Sequence, residues 1–444
     1  MRMKVAIVHY WFLVPGGGEQ VIESLTRLYP QADIFCLFAD ERRLPAGVSR
    51  ARVKASLLDR MPFAHRLNRM FFPLYSAAAG SFDLSGYDLI LSSDSPPIKG
   101  VVTSSEAVHI SYCHTPGRYI WDMSASFMAK LPWFARPIFA EMASNARIAD
   151  YVAAQRVDHF IANSNYVARR IHKYYGRKST VIYPPVNVAK GYLADSHDDY
   201  YLSVGRLVQN KRLDILIEAC NLLQRRLVIV GEGRNEKHLR TIAGPTIEFR
   251  GRVSSEELGE LYARCRAFLF AADEDFGIVS VEAQSYGRPV IAFGRGGSLE
   301  TVRVGDEDGR PDTGLFFSAQ NAEAVKEALL GFEAREGEYV PSEMREHSLK
   351  FDAGLFEEKI AAFVDSAMAT KDAYAASVIS MPVRSFAAAP WDGVERRGKQ
   401  FNLRPRLEPL SMAAPSAQGY MAGEDRSGVG DGLPSAKRAG AEPL

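Results

Sequence analysis

Short apolar runs of strand length recur along the chain, most of them followed by a segment with helical spacing. Lys4–Tyr10, Ala32–Phe38, Asp88–Ser92, Ala107–Tyr112 and Val157–Ala162 form a first series. Tyr200–Val204, Arg226–Val230, Ile247–Arg250, Ala267–Ala271 and Pro289–Phe293 form a second. Continuous apolar runs without polar alternation fit parallel strands buried on both faces. One-faced stripes lie between them: Val21, Ile22, Leu25 and Leu28 after the first run, and Leu213, Leu216, Ile217, Cys220 and Leu223 after Tyr200–Val204. This alternation predicts an α/β fold built of Rossmann-like βα units in two series. Helix starts are marked as well. Asn163-Ser164-Asn165 reads as an N-cap for Tyr166–Tyr174, Ser254 with Glu257 as a capping box, and Asn321 as the cap of a helix to Phe332. Pro132 and Pro137 are expected to interrupt the helical segments of 127–151.

A chain of 444 residues exceeds one typical core, so two domains are expected. Gly176–Lys178 reads as the hinge, placing the first domain at 1–178 and the second at 179–350, opened by Val181–Val186. Phe351–Ala369 carries a stripe at Leu355, Ile360 and Phe363, which predicts a last helix over 351–370. Beyond Lys371 the sequence turns to Ala, Ser, Pro, Gly and Arg without periodicity, and 371–444 is expected to be a disordered tail.

The net charge of +1 argues against nucleic acid as a partner. Four widely spaced cysteines without a CxxC pair suggest reduced thiols rather than a disulfide framework or a zinc site. No apolar run reaches about 18 residues, so no membrane span is expected, and the first apolar run is too short for a signal peptide. A cytoplasmic protein is expected, with peripheral contact at the inner face of the cell membrane through 50–75. There Arg50, Arg52, Lys54, Arg60, Arg66 and Arg69 face the single acid Asp59, interleaved with Leu57, Leu58, Met61, Phe63, Leu67, Met70, Phe71, Phe72 and Leu74. A helix with its apolar face in the core and its cations in water is the alternative.

The chemistry converges on Phe268–Thr301, which reads as strand, acidic loop, helix, strand and glycine loop. Gly287-Arg288-Pro289 ends the helix, and Gly294, Gly296 and Gly297 leave the second strand. Ligands of open α/β sheets sit at the carboxyl ends of strands, so both loops point into one crevice. It carries Glu274, Glu282 and a turn at Phe276-Gly277 that opens a helix, whose free N–H groups suit anions and hydroxyls. With F-G, E-A, G-x-P-V and G-G-x-x-E in register, the stretch resembles the E-x7-E signature of retaining GT-B glycosyltransferases of the "group 1" family. The resemblance covers about residues 4 to 365 and implies the GT-B fold, two Rossmann-like domains facing a central cleft.

That resemblance implies roles. Glu282 is expected on the donor's ribose hydroxyls, Glu274 and the Phe276-Gly277 amides on the transferred sugar, and Gly296-Gly297 near the diphosphate. The role of Glu300 is left open. Arg206 and Lys211 match the family's G-R-L…K pattern and are expected to hold the pyrophosphate, whose charge grows as the glycosidic bond breaks. Gly231 and Val253 fall at the nucleobase end, while Gly17 and Gly18 face the cleft from the first domain. The last helix is expected to cross back to that domain. His114 opens HTPGRYIWD, which resembles bacterial mannosyl- and related transferases that build surface polysaccharides. His114 is expected to be catalytic there, and Arg118 with Asp122 can equally form an ion pair that shapes the loop.

Rival readings are weaker. The first glycine loop lacks the third dinucleotide glycine, since Val21 stands there, and no Lys-Ser/Thr follows for a Walker loop. Asp273-Glu274-Asp275 is formally a D-x-D metal motif, yet Glu274 is in register with the other signature and two cations already supply positive charge. No metal and no cofactor is therefore expected. The function implied is transfer of a hexose, mannose from GDP-mannose, to a lipid-linked or saccharide acceptor. With no carboxylate nucleophile identifiable, same-face attack through an ion pair is preferred to double displacement. A non-hydrolysing sugar-nucleotide epimerase and an inactive nucleotide-sugar-binding protein stand as alternatives.

Overall fold

The computed structural model describes residues 3–14, 16–45, 47–305 and 309–379. Within them, the first seven strands form one parallel sheet: β1 (Val5–Phe12), β2 (Asp33–Ala39), β3 (Val53–Ala55), β4 (Leu89–Asp94), β5 (Val108–Cys113), β6 (His159–Ala162) and β7 (Ser179–Val181). Their spatial order is β3-β2-β1-β4-β5-β6-β7. Six more form a second parallel sheet: β8 (Tyr201–Val204), β9 (Leu227–Val230), β10 (Ile247–Gly251), β11 (Ala267–Phe270), β12 (Val290–Phe293) and β13 (Gly314–Phe317), in the order β10-β9-β8-β11-β12-β13. The central strands are apolar because both faces are covered. Ile7 and Leu89 enter one core of the first sheet and Ala6 and Ile90 the other. In the second sheet Leu269 and Ile291 face one core and Phe268 and Val290 the other.

Chain order reverses between β1 and β4 in the first sheet and between β8 and β11 in the second. Those two switch points set side by side the loops that leave the strands' carboxyl ends. Six helices matter below: α1 (Gly17–Leu28), α2 (Arg136–Gln155), α3 (Asn165–Tyr175), α4 (Leu213–Leu223), α5 (Ile278–Ser285) and α6 (Ala353–Ile379). The expected cap on α3 is present, with Ser164 Oγ accepting from the Val167 amide at 3.1 Å. Ser254 likewise accepts from the Glu257 amide at 3.1 Å.

Several expectations are corrected. The boundary at 178 falls inside the first sheet, because β7 pairs with β6 through Phe160–Ser179 and Ile161–Thr180. Pro137 starts α2 rather than interrupting a helix, since the first turn needs no donor from that nitrogen. The last helix runs on to Ile379, past the expected break at 371; the rest of the expected tail lies outside the described residues. Segment 50–75 is neither one helix nor fully surface-lying. Short turns bury Leu58, Ala64 and Tyr75 in the core and leave Leu57, Met61, Phe63, Leu67, Met70 and Leu74 exposed. Among the described residues no helix is long and apolar enough to cross a membrane. All four cysteines are buried free thiols.

α6 belongs to the first core although it follows the second domain. Phe356, Ile360, Val364 and Ala367 pack there, Phe356 meets Tyr112 edge-on at 5.6 Å, and Arg27 pairs with Glu357 at 2.6 Å. Phe356→Ala should lower the unfolding free energy by about 3–5 kcal/mol through the cavity it leaves. Glu357→Ala, which removes only a surface pair, should cost less than about 1 kcal/mol in the same urea titration. Equal losses would show that α6 is held by charge rather than by packing.

Candidate active site

The second sheet's switch point assembles the cations and the first glutamate. Gly205-Arg206 leaves β8, and the loop carrying Asp273-Glu274-Asp275 leaves β11 beside it, so Lys211 forms an ion pair with Glu274. Lys211 stands on a short turn before α4, with its ammonium 5.7 Å from the Phe270 ring centre. Arg206 is exposed and makes no ion pair among the described residues. A guanidinium held free beside a paired ammonium is a ready anion site. Neighbouring loops fit closely around it. A Cβ on Gly231, at φ 131°, would stand 1.9 Å from the Gly205 carbonyl oxygen, so only glycine is accommodated there. The Gly231 amide donates to Gly251 O at 2.7 Å, which brings half-buried Val253 to the same end of the sheet. The loop after β12 sits on the acidic loop: the Gly297 amide donates to Glu274 O at 2.8 Å, and a Cβ on Gly297 would meet Phe276 Cα at 2.3 Å.

Phe276 turns its ring inward onto Tyr183 and Phe351, while Gly277, at φ 92°, opens α5. The Phe276 and Gly277 amides donate to no backbone carbonyl among the described residues. Glu282, one turn into α5, accepts from the Tyr262 hydroxyl at 3.0 Å. Burial raises its pKa, partly offset by the bonds from Tyr262 and from Gln20 of α1 and by Lys190. Glu282 therefore faces the first domain. Gly17 lies against Ile278 from the second domain, and Gly18 against Tyr10 and His9.

His114 lies past β5, as expected. Its Nε2 is hydrogen-bonded to Ser93 Oγ at 2.8 Å, and the same hydroxyl is 3.1 Å from His9 Nδ1. Burial pushes His114 down to about 4, so the ring is neutral near pH 7 and can exchange hydrogen bonds without carrying charge. Its carbonyl accepts from Asn163 Nδ2 at 2.9 Å.

The acidic loop is fastened to the first domain. Arg118 donates to Asp273 O at 2.7 Å and lies 3.7 Å from Asp122, so the i,i+4 pair and a cross-cleft bond coexist. Arg170, with 8% of its side chain exposed, donates to Asp275 at 2.7 Å, Asp122 at 2.8 Å and Pro116 O at 3.0 Å, and also to Thr115. Ser164 donates to Asp275 O at 2.6 Å. Burial raises Asp275 to about 6 even though Arg170 and Arg118 pull it down. Both aspartates of the D-x-D are thus engaged with guanidinium groups: Asp273 with Arg118 and Arg295, Asp275 with Arg170. Glu300 caps α3 from across the cleft, accepting from the Asn165 amide and Nδ2, each at 2.8 Å, and from the Tyr166 amide at 2.9 Å.

Two family models match successive parts of this chain. Residues 15–190 match Glycosyltransferase Family 4, and residues 188–347 match Glycosyl transferases group 1. Anabaena HepE, solved with UDP and glucose, superposes with TM-score 0.62 at 18% identity over 82% of this chain and 100% of its own. Sucrose-phosphate synthase of Thermosynechococcus elongatus superposes with TM-score 0.62 at 16% identity over 83% of this chain and 100% of its own. The chain has the GT-B fold. Among curated relatives, an uncharacterised glycosyltransferase of Methanocaldococcus jannaschii is 29% identical over 40% of this chain and 50% of its own length. A GDP-mannose-dependent monoacylated alpha-(1-6)-phosphatidylinositol monomannoside mannosyltransferase of Corynebacterium glutamicum is 33% identical over 28% of this chain and 35% of its own. The matches span half or less of those relatives.

Within this GT-B frame, sequence reasoning missed Glu19. It is 7% exposed at the start of α1, and neither carboxylate oxygen has a hydrogen-bond partner. Burial raises its pKa to about 7 from an ordinary 4.5, against the pull of nearby amides and of Arg206 across the cleft. An acid in the first turn of a helix reads in sequence as a dipole partner, and nothing local signals its burial. The folded protein keeps this proton over a pH range where the unfolded chain has lost it. Stability from the protonated form is therefore present at low pH and declines as pH rises from about 4.5 to about 7. Glu19→Gln should remove that decline, on the order of 2 kcal/mol after screening, in urea titrations at about pH 5 and about pH 8. An unchanged pH slope in the variant would place the proton elsewhere.

Proposed function

We propose that the chain is a retaining hexosyltransferase that moves mannose from GDP-mannose to a lipid-linked or saccharide acceptor in surface polysaccharide synthesis. The observation that carries the reading is the unpaired Arg206 beside Lys211 and Glu274 at the switch point. Arg206 and Lys211 neutralise the diphosphate as it leaves, which lowers the barrier because the charge grows only in the transition state. Lys211 exchanges part of its contact with Glu274 for phosphate, leaving that carboxylate to accept from the sugar hydroxyls. Glu282 takes the ribose hydroxyls in place of the Tyr262 hydroxyl, and the Phe276-Gly277 amides meet the sugar. His114, neutral and positioned through Ser93, lines the acceptor side. The leaving phosphate removes the acceptor's proton, so no carboxylate nucleophile is called on. The choice of mannose is supported by relatives named as GDP-mannose-dependent, and the choice of a saccharide or lipid-linked acceptor by HTPGRYIWD at 114–122.

Arg206→Ala and Lys211→Ala should each lower kcat/KM by about 10²–10³, measured as GDP release from GDP-mannose, and EDTA should leave wild-type turnover unchanged. Near-wild-type rates in both variants would remove the pyrophosphate assignment, and loss in EDTA restored by Mn²⁺ would revive the D-x-D reading.

The same proposal includes docking of 50–75 on an anionic bilayer. Arg60, Arg66 and Arg69 make no ion pair among the described residues, and Asp59 is taken by His65 at 2.8 Å. Phe63 and Met70 are 74% and 73% exposed between them. Each surface cation adds about 1 kcal/mol at an anionic leaflet. The protein should float with vesicles of phosphatidylcholine containing about 30% phosphatidylglycerol at low salt, and Arg60, Arg66 and Arg69 changed together to Glu should abolish flotation. Unchanged flotation would reject this surface.

A further inference from the structure

Beside the docking segment a cavity of about 360 Å³ opens between Phe72-Pro73 and α2, within the range of roughly 300–1,000 Å³ usual for small-molecule sites. Its walls include Phe72, Pro73, Pro96, Ile120, Met142 and Ala146. The carboxylate in its lining is already taken: Asp150 accepts from Lys99, from Trp121 Nε1 at 2.8 Å and from the Tyr175 hydroxyl at 2.7 Å. Asn145 Nδ2 likewise donates to Glu141 at 3.0 Å. A polar ligand would therefore gain little here, whereas hydrocarbon would lose only water.

The placement narrows the occupant. Phe72 and Pro73 share a turn with exposed Met70 and Leu74, so the cavity is continuous with the surface that carries the unpaired Arg66 and Arg69. Exposed Phe127 meets Tyr119, which meets Phe72, at 6.5 and 5.6 Å, extending the apolar rim. On α2 and just before it, Trp133, Phe134 and Ile138 are exposed as well. At the other end, Pro96 follows β4 and Ile120 belongs to the loop of His114 and Arg118, at the carboxyl edge of the first sheet. The cavity thus joins an apolar, cationic surface to the acceptor side of the cleft.

We propose that this cavity holds one hydrocarbon chain of an anionic lipid drawn from the bilayer on which 50–75 docks, with the head group on the unpaired arginines. The proposal rests on the docking reading for its source of lipid, and the two can fail separately. Titration of the full chain with cis-parinaric acid below micelle formation should give saturable fluorescence with one site per chain, displaced by farnesyl phosphate. Ala146→Trp, which fills the cavity, should weaken that binding at least tenfold, and Ala146→Leu should weaken it less; both should leave vesicle flotation unchanged. Should the tryptophan variant fail to fold, the leucine variant decides alone. Absence of saturable binding in the wild type, or unaltered binding in the folded variants, overturns the cavity assignment. Chain binding that persists while flotation fails supports the cavity and removes only the docking surface.

Discussion

Arg170 holds the cleft together. Its guanidinium is almost wholly withdrawn from water and reaches Asp275 of the second domain, Asp122, the Pro116 carbonyl and Thr115 at once. A charge buried this far is tolerable because both terminal nitrogens are satisfied, although Nε has no hydrogen-bond partner, and removing one partner of such a pair commonly costs about 3–5 kcal/mol. The loop that carries Glu274 is thereby fixed at Asp275, and Arg118 fixes it again at Asp273. Glu274 lies between the two anchors, which is why a loop residue can meet Lys211 in a defined place. The glycine loop after β12 fits beneath because Gly297 and Glu274 share a backbone hydrogen bond.

The same ties redistribute charge in the site. Acids that resemble a metal pair in sequence are engaged with arginines, while Arg206 is left unpaired. Positive charge is thus reserved for the position where the β8 loop opens to the cleft. Across from it, Glu19 is held in a poorly solvated place where its proton is hard to lose. One half of the cleft presents a free cation and the other a partly protonated acid and two neutral imidazoles. An anionic ligand would be drawn to the first half and meet less repulsion from the second than a fully ionised carboxylate would give.

Much of this was legible in the sequence, for reasons that can be named. Strands such as Val5–Phe12 and Leu227–Val230 are buried on both faces, so each reads as an unbroken apolar run. The helix over 165–175 announces itself through Ser164, because a capping hydroxyl acts within three residues. Glu274, Glu282, Arg206 and Lys211 carry fixed spacings because they hang from the ends of neighbouring strands and from α5. What could not be read is long-range. Ser179–Val181 is too short to show on which sheet it pairs, and Gly176–Lys178 looked like a boundary because it ends a helix. Arg170 reads as one more cation on an amphipathic helix; its partners lie 48 and 105 residues away. Burial of Glu19 depends on packing around α1, to which no local pattern refers.

Glu300 gives the cleft a further property. A helix start normally exposes its first N–H groups to water or caps them from its own sequence. In α3 that task is shared between Ser164 of its own chain segment and a carboxylate from the opposite domain. Separation of the domains would therefore be felt within the helix itself, as two backbone amides change from a charged acceptor to solvent. On opening, the Asn165 and Tyr166 amides would lose their carboxylate while the Ser164 cap on Val167 stayed in place, so solvent exchange at those two amides would report on domain separation.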